Sequence, residues 1–337
     1  QRPQSAESTS IMFPKVISNR GIAKYTLQRR FLSRATFSEV ATSNNNDKRR
    51  VLIHDLPNGI KHVELNRPEK LNSLDMEMFH SIADAARDIR NDKNIRAVIL
   101  SGKGRAFCTG LDVKSILSPS DKHGHLPMTK VDRLLQRPSG YERKGSTSSE
   151  DNDIQALGNL GQDIAYLWRD IPVPVIAVLN GMCFGGGLQV ALGADMRYAT
   201  PDCKLSIMES KWGLIPDMSA TVTLRELVRI DVAKELTYTG KVIDGVEAER
   251  LGLVTRCCDD PMDEALKVTE AIGSRSPDCV SAAKLLYQST WFSSEQECLE
   301  METKLQKKLI PSWNQAVALA KNFGMALPYK NRQDFDE

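Results

Sequence analysis

The stretch from Val173 to Leu192 constrains the fold more than any other part of the chain. It begins with Val173-Pro174-Val175-Ile176-Ala177-Val178-Leu179, passes through Asn180-Gly181-Met182-Cys183-Phe184-Gly185-Gly186-Gly187, and continues as Leu188-Gln189-Val190-Ala191-Leu192. A short continuous apolar run bounded by turn residues reads as a buried strand, and the segment after the glycines has helical character. A strand that feeds a helix through a glycine turn is half of a parallel βα unit. Ile95 to Ser101 is a second buried-strand candidate that ends at a glycine-rich turn. Upstream, Val51–His54 and Ile60–Leu65 flank Pro57-Asn58-Gly59, which predicts a hairpin. Met78, Ile82, Ala85 and Ile89 recur at helical spacing behind a capping-type Ser73. The chain therefore reads as α/β.

From Met262 onward the pattern is helical and broken at Pro277 and Pro311. Ala265, Val268, Thr269 and Ile272 form one stripe, Ala283, Leu286 and Tyr287 another, and Leu299 to Leu309 a third. Helices that follow an α/β core cover a pocket, form a subunit contact or simply complete the core. The organisation expected is a leader over 1–48, a core over 49–258 and a helical region over 259–337. Within the core, 118–153 shifts to Ser, Lys, Asp, Gly and Pro, which reads either as a flexible insertion beside a site or as a solvated loop.

The formal charge of +2 is a sum of unlike parts. Residues 1–38 carry seven Lys/Arg and one acid, which leaves 38 basic and 42 acidic side chains on the other 299 residues. The body is mildly acidic, which argues against nucleic acid as a partner. The leader is different. Met12 to Ser38 holds Lys15, Arg20, Lys24, Arg29, Arg30 and Arg34, several Ser/Thr and no acid, the composition of an organellar transit peptide. A disordered basic tail has the same composition. The run Arg29-Arg30-Phe31-Leu32-Ser33 resembles a matrix-processing site, so the expected location is the mitochondrial matrix. No apolar run approaches the roughly 20 residues of a membrane span, and stable membrane insertion is not expected.

Seven cysteines, odd in number and with Cys257 and Cys258 adjacent, form neither a disulfide framework nor paired CxxC spacing. The five histidines show no HExxH, so no metal is expected. Cys108 has no recognisable His partner and reads as a small packing residue.

Three glycines in a row, Gly185 to Gly187, permit close approach of a ligand to the backbone. The helix behind them points free N–H groups at whatever binds. The pattern is neither GxGxxG nor a P-loop. A second small-residue turn, Gly102 to Asp112, can supply another N–H. Two donors from separate loops suit a thioester enolate, for which one such hydrogen bond is worth ~3–4 kcal/mol in the transition state. A third segment, Met208 to Met218, carries Glu209 and Asp217 on either side of Gly213 and Pro216, which let the chain fold back. A carboxylate beside Trp212, Leu214 and Met218 would have its pKa raised toward useful acid/base chemistry. On spacing alone, such a pair is more often solvent-facing than catalytic.

These segments together resemble the crotonase family, the enoyl-CoA hydratase/isomerases. The resemblance rests on Asn66-Arg67-Pro68-Glu69-Lys70-Leu71-Asn72-Ser73-Leu74, Phe107-Cys108-Thr109-Gly110-Leu111-Asp112, Asn180 through Gly187, Ala194-Asp195 and Glu209 through Pro216, in the family's order, over residues 50–325. It implies a ββα-superhelix (spiral) core with a C-terminal helical trimerisation region, assembled as a homotrimer or homohexamer. It also implies an acyl-CoA substrate whose thioester oxygen sits between the N–H groups of Leu111 and Gly186. Gly110, Asp112, Lys114, Gly185, Gln189 and Trp212 would line the substrate, although a solvated lysine is the plainer reading of Lys114. Coenzyme A would be part of the substrate, with no separate cofactor.

The acids then divide the family's activities. Hydratases of the family resemble this chain at Glu209 but carry a Glu where it has Gln189, which cannot serve as a base and can at most orient a water. Dienoyl-CoA isomerases resemble it in having a Glu before the glycine turn and an Asp eight residues on, here Glu209 and Asp217, although their residue at the Gln189 position is usually Asp. The resemblance therefore implies an acyl-CoA double-bond isomerase of fatty-acid β-oxidation, foremost a Δ3,5-Δ2,4-dienoyl-CoA isomerase. The alternatives are a Δ3-Δ2-enoyl-CoA isomerase, an enoyl-CoA hydratase, or a catalytically inactive scaffold that binds CoA or RNA.

Overall fold

A computed structural model describes residues 48–117, 128–136 and 158–335. The basic leader and most of the 118–153 segment lie outside the described residues.

The strands are β1 (Val51–Leu56), β2 (Ile60–Leu65), β3 (Ala97–Gly102), β4 (Val175–Leu179), β5 (Met182–Phe184), β6 (Met196–Ala199), β7 (Lys204–Ser206) and β8 (Arg256–Cys257). The helices of the core are α1 (Met76–Asn91), α2 (Val113–Leu117), α3 (Met128–Leu135), α4 (Leu160–Asp170), α5 (Gly186–Leu192), α6 (Ala220–Leu227), α7 (Ile230–Thr239) and α8 (Gly245–Leu251). Four more follow: α9 (Pro261–Gly273), α10 (Pro277–Thr290), α11 (Glu295–Leu309) and α12 (Trp313–Asn322).

Six strands form one sheet in the order β1-β2-β3-β4-β6-β8. The hairpin β1–β2 is antiparallel, with Leu56 opposite Ile60. Every later pair is parallel, for example Val98 opposite Val175 and Ala177 opposite Arg197. β5 and β7 form a second, two-stranded parallel sheet.

Both faces of the main sheet are buried at β3 and β4, which explains why these strands read as continuous apolar runs. Val98 and Leu100 of β3, with Val175, Ala177 and Leu179 of β4, face Phe79, Ile82, Ile164 and Trp168 on α1 and α4. The alternate residues Ile99, Ile176 and Val178 face Ala265 and Leu266 on α9. α9 thus covers a face of the core sheet, so the structural layer does not end at the sequence boundary of 258.

Two local expectations are corrected. The N-cap of α1 is Asp75, whose carboxylate accepts the Met78 N–H at 2.8 Å. Leu71 and Asn72 pass through the left-handed region, so Ser73 still lies in the turn and its hydroxyl accepts from Arg67 instead. The 118–153 segment is also not uniformly structureless. α3 lies within it, with Leu134 buried and Val131 packed on the core.

The C-terminal helices are tied to the core by Lys284 of α10. Its ammonium, almost fully buried, donates to Asp195 at 2.8 Å and to the carbonyls of Val173 at 3.0 Å and Trp168 at 3.4 Å. Beyond α12 the chain returns to α10. The Gln333 N–H donates to Asp278 and Phe335 packs with Ala282 and Leu305. Among the described residues no helix is long and apolar enough to cross a membrane.

Candidate active site

The site forms where β3 and β4 run out into their glycine turns. The two turns are stitched together by main-chain bonds: Cys108 N–H donates to Met182 O at 3.1 Å, and Phe184 N–H to Cys108 O at 3.0 Å. Leu74 bridges to the first turn, donating to Gly110 O at 2.8 Å and accepting from Asp112 N–H at 3.0 Å. That parallel bridge uses the groups on either side of Leu111 and turns the Leu111 N–H away from Leu74. Across from it, Gly186 opens α5, where the first N–H groups have no acceptor within the helix.

Glycine at 110 and 185–187 is a steric requirement. Gly110 has φ +83°, and a Cβ on it would stand 2.8 Å from Phe184 O and 3.3 Å from Gly186 N. The two candidate donors are therefore held within a side chain's width of each other. Gly185 has φ +50°, and a Cβ on Gly187 would meet Cys108 O at 2.4 Å.

Arg67 braces the first turn from behind. Its guanidinium, buried, reaches Asp112 at 2.8 Å and donates to Ser73 O and Oγ at 3.0 Å each. In the sequence Arg67 stands out only as one member of a motif. Its role depends on a partner 45 positions away, which no local pattern exposes.

Glu209 sits against α5. It starts a 3-10 turn, Glu209–Trp212, closed by left-handed Gly213. A Cβ on Gly185 would lie 3.4 Å from Glu209 Oε1, so the carboxylate is adjacent to the residue before Gly186. Glu209 is 7% exposed; Oε1 accepts from Gln189 Nε2 at 2.6 Å, and Oε2 is buried with no hydrogen-bond partner. Burial raises its pKa, local main-chain N–H groups and the Gln189 amide oppose the rise, and the Asp217 charge adds to it.

Asp217 stands at the rim, exposed on one side, and desolvation on its protein side raises its carboxyl as well. Next to it, Met218 is buried, and its sulfur would lie 2.9 Å from a Cβ on Gly186. Met218 is thus the apolar wall nearest the donors.

Several expected site residues behave differently. Gln189 has both ends of its carboxamide engaged by protein, since Oε1 accepts the Met218 N–H at 2.8 Å while Nε2 serves Glu209. Its carboxamide thus links Glu209 to the residue after Asp217. Trp212 and Leu214 are 58% and 47% exposed, so of the three expected apolar neighbours only Met218 is buried. Lys114 is exposed at the start of α2. Cys108 is fully buried, its thiol pushed up to about 12 by desolvation, as suits a packing residue.

A cavity of about 870 Å³ lies elsewhere, between α10 and the residues around Pro174 and Asp195. Its lining includes none of Leu111, Gly186, Glu209 and Asp217, and of its charged groups Lys284 pairs with Asp195 and Arg169 with Glu226. Among the described residues no cluster of His, Cys, Asp and Glu could hold a metal.

A six-stranded sheet whose central strands are buried on both faces, a small second sheet and two interlocked glycine turns make this a protein of the crotonase fold. The chain belongs to the enoyl-CoA hydratase/isomerase family, whose model matches residues 60–267. It is similar to the peroxisomal Δ(3,5)-Δ(2,4)-dienoyl-CoA isomerase of Arabidopsis thaliana, 27% identical over 82% of this chain and 91% of the relative. It is also similar to the (E)-benzylidenesuccinyl-CoA hydratase of Thauera aromatica, 30% identical over 68% of this chain and 79% of the relative. The crystal structure of the enoyl-CoA hydratase of Bacillus anthracis superposes with a TM-score of 0.69 at 25% identity, over 83% of this chain and 99% of that one. Hydratases and isomerases both stand among the relatives, so the choice between them falls to the acids.

Proposed function

We propose that the chain is a mitochondrial acyl-CoA double-bond isomerase that converts a 3,5-dienoyl-CoA to its 2,4-isomer. The observation that carries this reading is the state of Glu209. It is buried beside the glycine turns with one oxygen held by Gln189 and the other, Oε2, unpartnered. The position where a second hydratase carboxylate would stand is occupied by an amide committed to protein partners.

The thioester oxygen would lie between the N–H groups of Leu111 and Gly186, which are worth most when the carbonyl gains charge. Glu209 Oε2 takes the C2 proton, and the electron pair spreads through the conjugated dienolate onto that oxygen. Asp217 returns a proton at C6, and the double bonds settle at C2 and C4. One proton leaves and one arrives, and solvent exchange resets the acids. The Gln189 N–H favours the charged form of Glu209, which gives Glu209 the role of base. Asp217 at the rim, raised by desolvation, is suited to hold the proton that is delivered. Coenzyme A enters with the substrate, and no further cofactor takes part in these steps.

Exposed apolar side chains support a homotrimer or homohexamer. Ile215, Ile230, Tyr238, Tyr287, Trp291 and Phe292 are each more than half exposed in the single chain. The matrix location rests on the acid-free stretch Met12 to Ser38 of the leader and its Arg29-Arg30-Phe31-Leu32-Ser33 run.

The test is a substrate panel of 2-enoyl-, 3-enoyl- and 3,5-dienoyl-CoA with wild type and Asp217→Asn. Dienoyl turnover is expected in the wild type and is expected to fall by about 10²-fold or more in the variant, with 3-enoyl turnover largely spared. Hydration of the 2-enoyl substrate alone would overturn the isomerase reading, and an unaffected Asp217→Asn would overturn the two-acid mechanism.

A further inference from the structure

We infer that Gln189 is a positioning residue that ties the base to the turn carrying the second acid, and so sets both the presented oxygen of Glu209 and the distance to Asp217. The inference rests on the reading of Glu209 as the proton-transferring base.

Gln189 lies in the first turn of α5, three residues after Gly186, and is 2% exposed. Its Nε2 donates to Glu209 Oε1 at 2.6 Å and its Oε1 accepts the Met218 N–H at 2.8 Å. One side chain therefore joins the oxyanion helix, the Glu209 turn and the residue after Asp217. The chemistry demands an amide. The partner on one side is an acceptor and on the other a donor, and only a group with both at one end satisfies them together. A carboxylate could still accept from Met218 but would face Glu209 as a like charge. An asparagine is one methylene short of the span.

With Oε1 held, the unpartnered Oε2 is the oxygen left for the substrate. The Met218 contact fixes the main chain next to Asp217, the titratable carboxyl coupled to Glu209. The Gln189 side chain makes no hydrogen bond to the main chain that carries the oxyanion donors; that chain is held by main-chain bonds, including Gln189 N–H to Gly185 O at 3.0 Å, which substitution of the side chain leaves in place. Loss of the brace should therefore disturb proton transfer and leave thioester binding nearly intact.

The experiment compares wild type with Gln189→Glu and Gln189→Met in kcat, KM and the pH profile of kcat/KM. The assay uses whichever of 2-enoyl-, 3-enoyl- and 3,5-dienoyl-CoA the wild type turns over, since Glu209 handles the C2 proton in each. Expected for both variants is a fall in kcat of about 10²-fold, the usual cost of a misplaced reacting group, with KM changed less than about threefold. The acid limb should move up by about one pH unit in Gln189→Met, which loses the donor, and further in Gln189→Glu, which adds a like charge. A merely structural role would lower stability and leave that limb in place. An unmoved limb in both folded variants overturns the inference. Wild-type turnover of the 2-enoyl substrate alone sinks the isomerase reading but still reads the limb, and no turnover of any substrate overturns both.

Discussion

Replacing Gly110 by Ala should separate the geometry of the two main-chain donors from the stability of the fold. At φ +83° an L-residue pays ~1–2 kcal/mol in backbone strain before any contact is counted. The added Cβ would also stand 2.8 Å from Phe184 O, closer than real Cβ atoms approach, and 3.3 Å from Gly186 N. The atoms that must yield are backbone, not the ends of flexible side chains. Relief to ordinary contact needs a shift of about half an ångström, shared between the turn that carries Leu111 and the turn that carries Gly186. Donors aimed at an oxyanion work within about 2.7–3.1 Å of it, and loss of one costs ~10²–10³ in kcat. A half-ångström opening between both donors should thus lower kcat by about 10²-fold.

Gly324→Ala is the control, because Gly324 has nearly the same φ, +82°, with nothing within 4 Å of the added Cβ. It should share the strain without the clash and keep full turnover. The assay is steady-state kinetics on the acyl-CoA substrate, with thermal melting of both variants. Inhibition by free coenzyme A serves as an internal reference: it carries no thioester carbonyl, so its inhibition constant should be unchanged in Gly110→Ala. Full kcat in a folded Gly110→Ala protein would refute the donor geometry. Equal activity losses in the two variants would show that strain, not the clash between turns, is responsible.

Two further predictions concern titration. Glu209 must be charged to act, and burial raises its carboxyl, so kcat/KM should fall with acid through a pH above the ordinary carboxylate range. Because its folded pKa lies above its unfolded value, ionising Glu209 costs folding free energy as pH rises. Glu209→Gln should then lose about 10²–10⁴-fold in turnover while melting at or above the wild-type temperature at neutral pH. His62 gives the opposite sign. Burial holds its ring down to about 4, against the Glu64 charge and with His54 stacked 5.4 Å away, while Ser101 Oγ lies 2.7 Å from Nε2. The unfolded chain therefore takes up a proton first as pH falls, and stability should drop by about 3 kcal/mol between about pH 6.5 and 4. Urea midpoints at about pH 7.5 and pH 5 should differ in wild type and converge in His62→Gln; equal slopes in the two would refute the assignment.

Much of this architecture was legible because it rests on local pattern. Met78, Ile82, Ala85 and Ile89 all face the core from α1, and the apolar runs at 97–102 and 175–179 are strands buried on both faces. The glycine turns were legible for the same reason, since strand–helix packing alone needs one glycine and not three in a row. What escaped were contacts between distant positions. Gln189 finds Glu209 20 residues on and Met218 29 on, and Arg67 finds Asp112 only because β2 and β3 run parallel in register. Trp212 escaped in another way: an indole usually buries itself, but the turn that hides Glu209 points the next residues outward. α3 was hidden because Val131 and Leu134, which it packs on the core, stand within a largely polar stretch.

The same topology explains how Glu209, Asp217 and Gln189 come together beside the glycine turns. Parallel strands place every strand end on one edge, so the turn after β3, the turn after β4 and the segment after β7 meet although they lie about a hundred residues apart. The small sheet fixes the last of these: Gly185 N–H donates to Ser206 O at 2.9 Å, three residues before Glu209. Glu209 is therefore registered against Gly186 by a strand pairing and against the segment carrying Asp217 by one amide. The pairing is a repeated main-chain ladder that tolerates side-chain change. The amide is a single side chain, and a one-atom change from nitrogen to oxygen removes its donor. Variation in reaction type within such a fold should consequently concentrate at position 189 and its contacts, and leave the glycine turns unaltered.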